Sequence, residues 1–161
     1  MTALETVDYV DADDRPVACG PRGGAAAQGL CYRVAATVCV DPARRLLVYR
    51  RSAEAAVYPG HHDILVGGCP RAGESYREAA VRELHEELGI LAAPRQVLHT
   101  RCASPVGDCW LTVHLAEIPT ALRVDPREIA EHFFVPPHRL LARMPSSFVP
   151  EGHRVLTRLF G

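Results

Sequence analysis

Three glutamates near the middle of the chain, Glu83, Glu86 and Glu87, have a spacing that suits metal chemistry. On a helix, residues three and four positions apart are neighbours, so the three carboxylates would share one face. Hard divalent cations such as Mg²⁺ and Mn²⁺ prefer clustered carboxylate oxygens of this kind. The mutual repulsion costs only about 0.2–0.5 kcal/mol per pair, so the spacing alone also allows a solvated acidic helix that holds no metal.

The glutamates belong to a longer pattern in residues 68–90, which read GCPRAGESYREAAVRELHEELGI. The segment fits G-x5-E-x7-R-E-U-x-E-E-x-G-U, with U an apolar residue, at every fixed position. At average residue usage, the probability of a chance match in this chain is below about one in a million. The pattern resembles the Nudix box, so the chain is identified as a member of the Nudix hydrolase superfamily. The matching residues are Gly68, Glu74, Arg82, Glu83, Leu84, Glu86, Glu87, Gly89 and Ile90.

The resemblance implies a metal site and a reaction. Glu83, Glu86 and Glu87 would hold Mg²⁺ or Mn²⁺, with the backbone carbonyl of Gly67 or Gly68 as a further ligand. The implied reaction is the attack of water on a phosphorus atom of a diphosphate, with the metal ion supplying positive charge. A non-catalytic nucleotide-binding Nudix module is the alternative, but such a module would typically have lost a box glutamate, and this chain has lost none.

The resemblance also implies which residues take part in catalysis. Arg82 would pair with the box carboxylates and orient them. The general base would be a box glutamate, Glu83 or Glu86, or a glutamate from the downstream segment DPREIAEHFFV, where Glu128 and Glu131 stand. We assign Glu131 as the downstream candidate, with a solvated loop carboxylate as the alternative.

Four residues are candidates for substrate binding. Arg50 and Arg51 end a predicted strand that should point toward the box, where guanidinium groups can grip phosphate, although arginines at strand ends are often simply exposed. Glu74 would support the site from behind the metal ligands. Pro105 stands where members that cleave ADP-ribose also carry proline, a weak indication because proline is common in loops. The predicted substrate is a nucleoside diphosphate derivative of the nucleotide or ADP-sugar type.

The sequence around the box is similar to the branch that contains isopentenyl-diphosphate isomerase, through the elements R-R-S, P-G and D-x-x-x-G-G. That isomerase needs a catalytic cysteine and a metal-binding histidine in a segment of the form V-C-G-H-P. Here residues 66–70 read VGGCP, and Tyr32 replaces another metal-ligand histidine. Because both side chains of that segment are missing, with Cys69 displaced by two positions, isomerisation is the least favoured alternative.

The box must be positioned by a helix, which the sequence predicts over Ser75–Leu88. Ser75 and Glu78 form a capping box, and Gly89 supplies a stop signal just past the end. An apolar stripe can face a sheet, and we expect the three carboxylates on the opposite side. The stripe consists of Tyr76, Ala80, Val81, Leu84 and Leu88.

The remaining pattern predicts an α/β fold, an α/β/α sandwich with a mixed central sheet. Tyr32–Val40 and Arg45–Arg51 are β-branched and apolar, and we expect them to pair as a hairpin in the middle of the sheet. Ala18–Gly29 is rich in glycine and alanine and is predicted to be a loop that does not pack tightly. Further strands are predicted at Glu5–Asp11, Gln96–Cys102, Trp110–Glu117 and Phe133–Val135, and further helices at Pro137–Arg143 and Pro150–Phe160.

Length and composition set the wider expectations. A chain of 161 residues predicts a single domain over residues 1–161, with residues 1–30 forming an N-terminal strand and a flexible loop. The formal net charge of −1 gives no electrostatic reason for a nucleic-acid or membrane partner, so we expect a small nucleotide-like substrate. No secretion signal or thiolate metal motif is recognisable, which predicts a cytoplasmic protein. A homodimer is left open.

Overall fold

The computed structural model describes residues 5–161, which form nine strands and three α-helices around a mixed sheet. The helices are α1 Tyr76–Leu88, α2 Pro137–Ala142 and α3 Pro150–Phe160. No helix in residues 5–161 is long and apolar enough to cross a membrane. The strands are β1 Thr6–Val10, β2 Pro16–Pro21, β3 Tyr32–Val40, β4 Leu46–Arg51, β5 His62–Asp63, β6 Leu65–Gly68, β7 Arg95–Ser104, β8 Gly107–Glu117 and β9 Ile129–Val135.

The strand β3 is the centre of the main sheet. It pairs parallel with β8 along its whole length and antiparallel with β6, while β7 extends the sheet beyond β8. The predicted hairpin between β3 and β4 is wrong beyond its first pair, Val40 and Leu46. The two strands diverge because β6 occupies the edge of β3, and β4 instead pairs with β5 and β9.

Helices cover both faces of the sheet, which confirms the predicted α/β/α sandwich. On one face, Ala36 and Val38 of β3 belong to an apolar cluster with Leu140 of α2 and Leu156 of α3. On the other face, Cys39 of β3 belongs to a cluster that includes residues of α1. Because successive side chains of a strand point to opposite faces, the continuously apolar β3 can serve both layers.

The helix α1 begins and ends where its capping residues predict. The Ser75 side chain accepts a hydrogen bond from the Glu78 backbone N–H, and the Glu78 side chain accepts one from the Ser75 N–H. Gly89 adopts φ 67° and closes the C-terminal end. Such caps satisfy backbone groups that the helix leaves unpaired, and they fix the direction in which the last turn points.

The N-terminal segment is more ordered than the glycine- and alanine-rich sequence predicts. Pro16–Pro21 forms a strand that pairs antiparallel with β1, so the loop prediction is wrong for residues 18–21. Tyr9 of β1 is buried, and its hydroxyl donates a hydrogen bond to the Pro21 carbonyl. A side chain at Gly20 would collide with that hydroxyl, so a small residue allows tight packing here.

Candidate active site

The last turns of α1 form one wall of a cleft of about 410 Å³, which we call the acidic cleft. The opposite wall is the loop that leads from β8 to β9. Five glutamates and an aspartate share this cleft with only two guanidinium groups, so its field attracts cations. The lining residues are Glu5, Arg71, Glu83, Glu86, Glu87, Asp125, Arg127 and Glu128.

Two of the three box glutamates are buried. Glu83 is 2% exposed and Glu87 is 8% exposed, whereas the Glu86 side chain is 44% exposed. The expectation that all three lie opposite the apolar stripe is therefore wrong, because Glu83 and Glu87 share the buried face of α1 with Leu84 and Leu88. Burial raises the pKa of both carboxyls, and for Glu87 the nearby charges of Glu83 and Glu128 raise it further.

Arg82 organises the carboxylates around it. Its Nε lies 3.1 Å from both carboxylate oxygens of Glu74, and its Nη1 lies 2.9 Å from Oε1 of Glu83 and 3.3 Å from Oε2 of Glu86. Its Nη2 also donates to the Cys69 carbonyl. The side chains of Arg82 and Glu74 are only 16% and 14% exposed, so this network is held rigidly behind the cleft. Glu74 thus contacts Arg82 through both of its carboxylate oxygens.

Glycines at the end of β6 allow the buried carboxylate to approach the backbone. A Cβ at Gly68 would lie 2.5 Å from Oε1 of Glu83, and one at Gly67 would lie 2.0 Å from the Ala35 carbonyl oxygen. Any side chain at either position would displace the strand or the carboxylate. These contacts bring the backbone of β6 and the carboxylate of Glu83 together at the edge of the cleft.

The donor set has the chemistry that Mg²⁺ or Mn²⁺ requires, namely several carboxylates with backbone carbonyls nearby. Within residues 5–161, however, no three or more Asp, Glu, His or Cys side chains converge on one point as a metal ion would require. Glu83 and Glu86 are instead paired with Arg82. The Glu87 carboxylate makes no hydrogen bond or ion pair to any residue in this described range, and it remains available at the cleft wall.

The loop before β9 is fixed against the C-terminal end of α1. The backbone N–H of Asp125 donates to the Glu87 carbonyl at 2.9 Å, and that of Arg123 donates to the Leu88 carbonyl at 3.1 Å. A third hydrogen bond, from the Ser52 N–H to the Glu128 carbonyl at 3.0 Å, ties the loop to the end of β4. These contacts place the Glu128 side chain at the cleft.

Of the two predicted arginines, Arg50 and Arg51, and the two predicted glutamates, Glu128 and Glu131, the structure brings one of each to the cleft or the adjoining groove. Arg50 and Glu131 are partners across β4 and β9, and their side chains form an ion pair with an N–O distance of 2.9 Å. Arg51 points the other way, and its Nε donates to the Val57 carbonyl. Glu128 therefore lies at the cleft, while Glu131 is occupied with Arg50.

Arg51 lines a second cavity of about 230 Å³, which we call the arginine groove. The groove opens from the acidic cleft, since both are lined by Glu87, Arg127 and Glu128. Its other walls include Arg22, Gly67 and Gly68. Sequence reasoning missed Arg22, Arg71 and Arg127, because none of them stands at a fixed position of the box, although Arg71 lies within it.

A family model described as NUDIX domain matches residues 32–159 of the chain. The chain belongs to the Nudix family. An uncharacterised Nudix hydrolase of Streptomyces coelicolor is 37% identical over 162 residues, covering 98% of this chain and 90% of that protein. One of Pseudomonas aeruginosa is 37% identical over 138 residues, covering 85% of this chain and 82% of that protein. Together with the complete box, these relatives make the chain a Nudix hydrolase.

Solved structures share the fold. A protein of Deinococcus radiodurans superposes with a TM-score of 0.83 at 24% identity, covering 98% of this chain and all of that one. The Nudix domain of NrtR from Shewanella oneidensis, solved in complex with ADP ribose, gives a TM-score of 0.62 at 16% identity. That match covers 80% of this chain and 85% of the other. At this level of identity the likeness concerns the fold alone.

Two further positions of this Nudix hydrolase bear on the sequence predictions. Cys69 is buried, and its burial raises the pKa of its thiol to about 12, so it is unsuited to act as a nucleophile in place of the missing isomerase cysteine. Pro105 is exposed in the turn between β7 and β8 and does not line the acidic cleft or the arginine groove.

Proposed function

We propose that this Nudix hydrolase cleaves the diphosphate linkage of a nucleoside diphosphate derivative, with Mg²⁺ or Mn²⁺ bound by Glu83, Glu86 and Glu87. The observation that carries the proposal is the burial of Glu83 and Glu87 in the wall of an acidic cleft. Glu83 is paired with Arg82, but Glu87 has no ion pair within residues 5–161, and a buried carboxylate without matching positive charge destabilises a protein. A divalent cation would offset this cost, whereas an ordinary acidic surface would have left these side chains in water.

Arg82 contacts one oxygen of Glu83 and one oxygen of Glu86, so the second oxygen of each carboxylate would be the one to hold the ion. Arg82 also contacts Glu74 and the Cys69 carbonyl, and these contacts hold its guanidinium in place. We therefore assign Arg82 and Glu74 as positioning residues, and the Gly68 carbonyl as the further ligand.

The arginine groove is suited to hold the phosphates. Arg51 is fixed by its hydrogen bond to Val57, and Arg22 and Arg127 line the same groove. Guanidinium groups bind phosphate oxygens through charge-assisted hydrogen bonds. A divalent ion held by the box glutamates would supply further positive charge and would make water easier to deprotonate. We therefore assign the phosphate-binding role to Arg51 and not to Arg50.

Glu128 is the residue we propose as general base, in place of Glu131. It lines both the acidic cleft and the arginine groove, so it faces the place where a phosphorus atom and an attacking water would meet. A general base must be within hydrogen-bond reach of the proton it removes. The Ser52 N–H donates a hydrogen bond to the Glu128 carbonyl, and this contact fixes the backbone that carries the Glu128 side chain.

A third cavity, of about 140 Å³, continues from the arginine groove, and we call it the tyrosine pocket. The two cavities share Arg51, Val57 and Gly67. The pocket is mainly apolar, as is typical of sites for a ring system. Its lining includes Tyr32, Tyr58, Leu65, Cys102, Cys109 and Leu111. We assign it to the part of the substrate beyond the phosphates.

ADP-ribose is the first compound to test, since the Nudix domain of NrtR was solved with that ligand. We expect cleavage at the internal diphosphate into two phosphomonoesters, in the presence of Mg²⁺ or Mn²⁺. Reaction in ¹⁸O-water followed by mass spectrometry of both products identifies the phosphorus that water attacks. Release of inorganic phosphate from nucleoside triphosphates, without cleavage of any diphosphate-linked compound, would contradict the proposal. Because the formal net charge is only −1, we also propose that the substrate is a small molecule and not a nucleic acid or a membrane. We propose a cytoplasmic location for the protein.

A further inference from the structure

Cys102 and Cys109 face each other across the hairpin of β7 and β8. They are direct partners in the antiparallel register, and their Sγ atoms lie 2.9 Å apart as free thiols. Opposed residues of antiparallel strands have Cα atoms about 4.5–5.5 Å apart. Disulfide-bonded cysteines have Cα separations of about 4.4–6.8 Å, so these two can be joined without moving the backbone.

The two thiols differ in access to solvent. Cys109 is 2% exposed, whereas Cys102 is half-buried and lines both the tyrosine pocket and a small cavity beside α3. Arg101, Arg154 and Arg158 line that cavity together with Glu151, and the charge of Arg154 favours a thiolate at Cys102 while those of Glu151 and Asp108 oppose it. A hydrogen bond from Cys109 lowers the pKa of Cys102 and raises that of Cys109 itself. Cys102 is thus the thiol that reacts first.

We propose that Cys102 and Cys109 are a redox-active pair, which a low-molecular-weight disulfide such as oxidised glutathione converts reversibly into an intramolecular disulfide. The Cys102 thiolate attacks one sulfur of glutathione disulfide and releases one molecule of glutathione, leaving a mixed disulfide. Cys109 then gives up its proton, and its sulfur attacks Sγ of Cys102 and releases the second glutathione. Two protein thiols are oxidised, and one glutathione disulfide is reduced to two thiols.

The disulfide would cross-link the two strands that form one wall of the tyrosine pocket. Cross-linking restricts the unfolded chain, so the oxidised protein should melt at a higher temperature than the reduced one. This inference concerns the thiols alone and does not depend on the proposed substrate. Reduction by excess dithiothreitol should restore the original melting temperature.

The experiment uses the full chain carrying Cys19→Ser, because Cys19 is exposed and would form a mixed disulfide of its own. After incubation with oxidised glutathione, we expect two thiols fewer by titration in denaturant. Trypsin cleaves after Arg101 and after Arg123 and so releases residues 102–123, a peptide that contains both cysteines. That peptide should be lighter by two hydrogen atoms. A protease that cleaves before Asp108 should separate the two cysteines only after reduction.

Single variants distinguish the roles of the two thiols. Cys109→Ala should retain a stable glutathione adduct on Cys102, and Cys102→Ala should resist modification because Cys109 is buried. Cys39→Ala, at a buried cysteine elsewhere in the sheet, should respond like its parent. An unchanged thiol count, a persistent adduct on Cys102 while Cys109 is present, or a disulfide mapped to another pair would each overturn the proposal.

Discussion

Within residues 5–161, buried carboxylates occur at Asp41, which pairs with Arg45, at Asp63 in β5, and at Glu83 and Glu87 in the acidic cleft. Oδ1 of Asp63 accepts backbone hydrogen bonds from Ile64 at 2.8 Å and from Leu65 at 3.1 Å, so it fixes the bend between β5 and β6. Glu87 has no comparable partner within residues 5–161 and lines the cleft instead.

The difference teaches that burial alone does not identify a metal or catalytic carboxylate. Both environments raise the pKa of the carboxyl, to about 7 for Asp63 and well above the usual range for Glu87, in each case chiefly through burial. What separates them is whether the protein supplies donors to the oxygens. Asp63 accepts hydrogen bonds from neighbouring backbone N–H groups. The Glu87 carboxylate accepts none within residues 5–161, which is why we propose it as a metal ligand.

The largest expected effect is at the cleft. Glu87→Gln should reduce divalent-dependent turnover of a cleaved substrate at least about a hundredfold, because it removes the charge proposed to hold the metal ion. Thermal unfolding without metal should show a variant no less stable than the wild type, since a buried charge has been removed. Glu117→Gln, at an exposed glutamate of β8, is the matched control. Wild-type turnover with both Mg²⁺ and Mn²⁺ would show that Glu87 is not a ligand.

The second effect separates two glutamates that the sequence cannot rank. Glu128→Gln should lower kcat by about a hundredfold, at the lower end of what a general base contributes. Glu131→Gln should change kcat less than about threefold, because the carboxylate is exposed and contacts Arg50 and His62 outside the acidic cleft. The reverse ranking of the two variants would restore Glu131 as the base.

The third prediction compares the effects on KM of removing Arg51 and its neighbour Arg50. Arg51→Ala should raise KM about tenfold, since it removes charge-assisted hydrogen bonds to phosphate worth about 1.5–3 kcal/mol when fully formed. Arg50→Ala, one residue earlier on the opposite face of β4, should raise KM less than about twofold. Steady-state kinetics on both variants measures the contrast, and equal effects would contradict the assignment of the arginine groove.

The last prediction concerns the pH dependence of stability at Asp63, where the effect on turnover should be the smallest. Because burial raises its folded pKa to about 7, the folded state binds a proton more tightly than the unfolded chain between about pH 4 and 7. The free energy of unfolding should fall as pH rises through this window, by up to about 1.4 kcal/mol per pH unit. Asp63→Asn keeps an oxygen for the two backbone donors and should lose this contribution.

Urea unfolding of wild type and Asp63→Asn at several pH values measures the difference between the two curves. The charged and titratable groups near Asp63 are Tyr49 and Arg51 of β4 and Glu151 of α3, and they are the same in both proteins. Their contributions therefore largely cancel. The variant should gain stability relative to wild type as pH rises, with turnover retained, and parallel curves would show that Asp63 is ionised throughout.

The sequence predicts best where neighbours along the chain decide the outcome. The capping residues Ser75, Glu78 and Gly89 fix the ends of α1, as predicted, because each acts within one helical turn. The bounds of α3 are also as predicted, Pro150–Phe160. The box spacing likewise brings Glu83, Glu86 and Glu87 to one end of one helix.

Residues that meet across the fold required the tertiary structure. The pairing of β4 with β9 decides which of Arg50 and Arg51 lines the arginine groove. Backbone hydrogen bonds from a distant loop decide which of Glu128 and Glu131 lines the acidic cleft. The divergence of β3 and β4 depends in the same way on β6 occupying an edge of β3.

The sequence by itself therefore determined the family, the helix and the placement of three glutamates on it, because these follow from spacings along one element. Only the tertiary structure decided that Glu83 and Glu87 are buried, that Arg51 lines the arginine groove and that Glu128 lines both this groove and the acidic cleft. The physical reason is that burial and strand register arise from contacts between segments far apart in the chain, which a local spacing does not encode.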